Sequence, residues 1–129
     1  MRAFLTTCSA EKRRDARPLP AVERYTHPRV HAAALEAQEA VAPLFILSGR
    51  FGLIDARAPI PWYDHALQPH EVATLWPRVA ARMRTRGIST LELRMLPPET
   101  PGWAPYHAVI EQAAAAAGVR LRRGWLTGS

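Results

Sequence analysis

The chain has 129 residues, one cysteine and a formal charge of +6, a length that fits one domain with a core of its own. A lone cysteine excludes an internal disulfide and fits a reducing compartment. No window approaches the ~18 apolar residues of a bilayer span, and the start MRAFLTTCSAEKRR lacks the apolar stretch of a secretory signal, so a cytoplasmic protein with no membrane partner is expected.

Arg2 to Thr7 is compatible with a strand and ends in Cys8-Ser9, and the charged, proline-punctuated stretch from Glu11 to Pro20 reads as a loop. Ala21 to Ala42 has a helical pattern, with Thr26 as candidate N-cap, Pro28 in the first turn and Pro43 as the stop. Leu44 to Leu47 is an uninterrupted apolar run, as expected of a strand buried on both faces of a parallel sheet. Ser48 to Leu67 is a long connection holding Gly49, Gly52, Pro59 and Pro61, and loops of that length are usually functional or carry short structure. A helix from Pro69 to Arg86 is stopped by Gly87. Ser89 to Leu96 alternates as a strand, Pro97 to Pro105 is a loop, Tyr106 to Ala117 is a helix closed by Gly118, and Val119 to Leu121 fits a last strand. The order predicts an α/β fold, a single three-layer domain over residues 1–129 with a mainly parallel sheet of about four strands flanked by helices.

In such a sheet ligands bind beyond the carboxyl ends of the strands, which here carry Cys8-Ser9 and Ser48-Gly49-Arg50. Gly49 and Gly52 allow close backbone approach and an anion-binding nest, with Ser9, Lys12, Ser48 and Arg50 as further donors to a phosphate or carboxylate. The competing reading is that the glycines make a turn and the serines cap loops. The spacing matches neither a Walker A motif nor a Rossmann fingerprint.

The segment Phe45-Ile46-Leu47-Ser48-Gly49-Arg50-Phe51-Gly52-Leu53-Ile54, followed by Ile60-Pro61-Trp62-Tyr63-Asp64, resembles the strand-loop motif of YaaA-like peroxide-stress proteins. It is more similar still to a group of small bacterial and phage domains that open with Cys-Ser-x-x-Lys, here Cys8 to Lys12, and have a Leu-Tyr pair before a helix, here Arg24-Tyr25. The resemblance covers about the first 80 residues. It departs at Arg24 and at Pro61-Trp62-Tyr63, one residue longer than the usual Pro-Tyr, and beyond Gly87 only Tyr106 has a counterpart. It implies a site built from these loops and a link to nucleic acid or stress, without implying a reaction.

Candidate actors follow from residue chemistry. Cys8 is a nucleophile if Lys12 and Arg50 favour its thiolate, or else a small strand-end residue. Asp64 is a general base or histidine-orienting carboxylate, or else a loop cap; His65 shares that ambiguity. Tyr25, Trp62, Tyr63 and Tyr106 are candidates for stacking on a base, or for packing. No cofactor is expected, and no metal: His27 and His31 stand four apart around Pro28, and no Cys/His spacing is that of structural zinc. Sixteen of the seventeen basic residues are arginine, so the charge reflects either a polyanionic partner or compositional bias; Arg78, Arg82 and Arg86 share one helix face, by default a solvated one. The expected ligand is a nucleobase, nucleotide or nucleic acid at the Cys8/Ser48 crevice, with hydrolytic or glycosyl-transfer-type chemistry if it is an enzyme. The alternatives are a non-catalytic DNA-binding stress protein and an accessory domain acting through a protein partner.

Overall fold

The computed structural model describes residues 1–125. Its main sheet has five strands, close to the expected number of about four. They are β1 (Arg2–Thr7), β3 (Leu44–Ser48), β4 (Gly52–Asp55), β6 (Thr90–Met95) and β7 (Arg120–Trp125), in the order β4-β3-β1-β6-β7. β1 lies parallel to β3 and β6, and β6 to β7, whereas β4 runs antiparallel to β3. A two-stranded ribbon of β2 (Leu19–Pro20) and β5 (Pro59–Ile60) lies apart from it.

β4 emerges from what reads in sequence as loop. Ser48 Oγ accepts from the backbone N–H groups of Arg50 (3.2 Å) and Phe51 (3.0 Å), which closes a tight turn after β3. Gly52 then has φ +76°, a left-handed conformation that glycine adopts without a Cβ clash. The Ser-Gly-Arg-Phe-Gly run is therefore a β-hairpin turn.

The expected helix from Ala21 to Ala42 is two helices, α1 (Ala21–Arg24) and α2 (Pro28–Glu39). Pro28 drives His27, which precedes it, into extended backbone (ψ 135°). His27, rather than Thr26, caps α2: its Nδ1 accepts from Arg29 N at 3.1 Å. Downstream, a short 3₁₀ turn (Pro69–Glu71) leads into α3 (Val72–Thr85), and α4 spans Ala104–Ala117. No helix among the described residues is long and apolar enough to cross a membrane.

Strand alternation sorts the core. Ala3 and Leu5 of β1, Phe45 and Leu47 of β3, and Leu91, Leu93 and Met95 of β6 share one cluster with α3 and α4. On the opposite face, Phe4 and Leu44 pack with Ala33 and Ala37 of α2, and Ile46 packs with Val30 and Tyr25. Beside Phe4 on that face, β6 presents Glu92 instead of an apolar residue; Glu92 is paired with Arg2 (3.0 Å) and Arg122 (3.1 Å). Arg2 and Arg94 lie over the Phe4 ring at 5.2 and 5.1 Å, so guanidinium groups cover it where α2 does not. That half-polar face is why β6 alternates in sequence while β3 does not.

Candidate functional site

β1 leads to α2 on one face of the sheet, and β6 leads to α4 on the other. The topological switch, where a crevice opens in a parallel sheet, therefore falls between the carboxyl ends of β1 and β6, adjoining that of β3. The segment after β1 brings Cys8 to this point. Its thiol donates to Tyr106 Oη at 3.6 Å, and the same oxygen accepts from Leu67 N at 3.1 Å. Tyr106, in the first turn of α4, thus ties the β1 end to the long loop. Gly49 makes the close approach possible, because a Cβ there would stand 2.9 Å from Leu67 N and 3.1 Å from Tyr106 Oη.

A second run of hydroxyls lies beneath. Tyr25 Oη and Tyr63 Oη are 2.5 Å apart, and Tyr63 Oη is 2.9 Å from Ser48 Oγ. Both tyrosines are buried. Burial, with Cys8 adding to it, raises the pKa of Tyr25, Tyr63 and Tyr106, so all three stay neutral hydrogen-bonding groups. Lys12 Nζ sits over the Tyr63 ring at 4.7 Å and the Tyr25 ring at 6.0 Å. It is held there by the bridge that Lys12 forms with Tyr25.

The structure therefore brings together Cys8, Lys12, Tyr25, Ser48, Gly49, Tyr63 and Tyr106. The rings of Tyr25 and Tyr63 offer no open face for stacking, and Trp62 is the exposed aromatic of that stretch. Ser9 is buried, with its hydroxyl donated to Glu11 O at 2.7 Å, and Ser48 Oγ is occupied by the turn. Both serines serve as loop caps. Arg50 is exposed, stacked beside Phe51. Asp64 is exposed and makes no hydrogen bond or ion pair among the described residues. His65 Nε2 lies 2.9 Å from the Glu71 carboxylate. Among the described residues no group of three or more His, Cys, Asp or Glu is placed to hold a metal.

Two residues not singled out as site residues in the sequence shape this region. Arg29 Nη2 donates to Cys8 O at 2.8 Å, and its guanidinium carbon lies 4.9 Å from the Trp103 ring centroid. Its Nε is buried without a hydrogen-bond partner. No carboxylate among the described residues lies within ion-pair distance, and burial lowers its pKa. Arg24, fully buried, donates to the carbonyls of Arg13, Asp15, Arg17 and Ile60, fixing the loop that carries Lys12. Among sixteen arginines neither had a sequence signal of its own.

No protein-family model, no curated protein and no solved structure matches the chain.

Proposed function

We propose that the chain, read as a three-layer α/β protein of the cytoplasm with a YaaA-like strand-loop motif, binds a nucleotide or nucleic acid. The ligand lies in the crevice at the carboxyl ends of β1, β3 and β6. The observation that carries this is Arg29: a largely desolvated guanidinium with an orphaned donor and no carboxylate partner, beside Cys8 and against Trp103. Burying a cation with no carboxylate in ion-pair contact, only the more distant charge of Glu11, is unfavourable, and an anionic ligand offsets it. Lys12, also without a carboxylate partner among the described residues, adds a second positive charge, and Trp103 supplies a half-buried aromatic edge for a base.

Hydrolytic or glycosyl-transfer chemistry would run through Asp64, Cys8 or His65. The exposure of Asp64 without an orienting partner favours binding over Asp64-based catalysis. Fluorescence anisotropy with labelled single-stranded DNA, RNA and nucleotides, at low and high salt, tests the reading. Lys12→Ala and Arg29→Gln are expected to weaken binding at least tenfold, with affinity falling as salt rises. Equal affinity of wild type and both variants for every probe would refute it. Turnover of a bound substrate that vanishes in Asp64→Asn would instead establish the catalytic reading.

A further inference from the structure

Adjoining the Cys8–tyrosine cluster at Gly49, a cavity of about 350 Å³ opens between the β3–β4 turn and the start of α3, lined by Gly49, Arg50, His65, His70, Glu71 and Arg78 among others. The three arginines spaced four apart along α3 and its C-cap divide here. Arg82 and Arg86 pair with Asp55 of β4, whereas Arg78 has no carboxylate partner among the described residues and turns to the cavity with Arg50. The one carboxylate in the lining, Glu71, is already occupied: it accepts from Gln68 N at 2.9 Å and meets His65 Nε2 at 2.9 Å. Arg50, Arg78 and His70 are left lining the space with no carboxylate in ion-pair contact among the described residues.

We propose that this cavity is a binding site for a phosphomonoester, the terminal phosphate of a nucleotide or of a nucleic-acid end. Arginine pairs match phosphate oxygens in charge and fork geometry. Two of them suit a dianion better than the single charge of an internal diester. The concave shape, walled by α3 on one side and the β3–β4 turn on the other, takes a chain end rather than a strand passing through. The inference rests on the nucleotide reading only for what lies beyond the phosphate, and the phosphate is tested alone.

The first arm titrates inorganic phosphate by calorimetry into wild type, Arg78→Ala and Arg50→Ala. Both side chains are exposed and make no ion pair, so the variants are expected to unfold at the wild-type temperature. Wild type is expected to bind phosphate and each variant to lose at least tenfold in affinity. Absence of phosphate binding at tens of millimolar, or equal binding by all three proteins, overturns the proposal. The second arm compares one oligonucleotide carrying a terminal phosphate or a terminal hydroxyl, with a mononucleotide as competitor. A preference of tenfold or more for the phosphorylated end, lost in Arg78→Ala, supports a polymer end; displacement by the mononucleotide at equal concentration supports a free nucleotide. Binding of the hydroxyl-ended strand with no such preference sustains the crevice reading and refutes this one.

Discussion

Replacing Arg24 by methionine keeps most of the side chain's volume while removing every donor. In the native protein its guanidinium reaches Arg13 O at 2.6 Å, Arg17 O at 2.7 Å, Ile60 O at 3.1 Å and Asp15 O at 3.2 Å. Taking about 1.5 kcal/mol for each short charge-assisted bond and about 0.5 kcal/mol for each long one gives about 4 kcal/mol. Relief from burying a cation whose Nε has no partner returns about 1–2 kcal/mol. The expected net loss is about 2–3 kcal/mol, or a Tm lower by roughly 8–12 °C for a domain of this size. Circular dichroism during thermal and urea unfolding reads the loss. Limited proteolysis is expected to cut the variant first between Arg13 and Arg17, which lose their anchor. Arg24→Lys retains the charge but not the fork, and is expected to recover less than half of the stability. A methionine variant within about 0.5 kcal/mol of wild type, outside the range worked from these bonds, would refute the view that this arginine holds the loop.

Three further outcomes are expected. Gly49→Ala places a Cβ 2.9 Å from a backbone nitrogen and is expected to destabilise by about 1–3 kcal/mol, with faster amide exchange at Leu67; wild-type stability would show that the loop yields freely. Val41, 92% exposed, has φ +52° just past the end of α2, where a β-branched residue is strained. Val41→Gly is expected to add about 1 kcal/mol, seen as a higher Tm, and an unchanged or lower Tm would count against strain there. The raised pKa of Tyr25 and Tyr63 means that the unfolded chain loses these protons first. Their contribution is complete below the unfolded value near 10 and falls away above it, by about 1.4 kcal/mol per pH unit for each tyrosine. Urea unfolding between pH 9 and 11 is expected to show that decline, less steeply in Tyr25→Phe; identical slopes would mean that Tyr25 titrates alike in both states.

Local pattern carried the elements with a clear apolar run, alternation or helix-forming stretch. β1, β3 and α4 stand within a few residues of their expected positions, because unbroken apolar runs and Ala-rich stretches have few alternatives. β4 was illegible: four residues beginning with glycine, inside a loop rich in Gly and Pro, form a strand only because β3 offers them an edge. The division of α1 from α2 depends on Tyr25 and Thr26 leaving the helix to pair with residues 11–12, a tertiary override of helical propensity. The strand-end rule put Cys8 and Ser48 at neighbouring strand ends of the sheet, and tyrosines 38 and 98 residues from their partners converge there. Which hydroxyls are consumed by turns, and which arginines lack a counter-charge, depends on contacts across the chain that spacing does not encode.

The position of β1 has a consequence for how the protein is made. Of the five strands of this sheet, the one synthesised first is its middle one: it meets Leu44 to Leu47 on one side and Thr90 to Leu93 on the other. Between synthesis of β3 and completion of β6, roughly 2–9 s pass at ordinary elongation rates of about 5–20 residues per second. Throughout that interval β1 is an open edge, and Ala3 and Leu5 await a core that α4 has yet to complete. The nascent chain is therefore most vulnerable to strand-mediated aggregation late in synthesis, and slow codons between residues 50 and 90 would prolong that exposure.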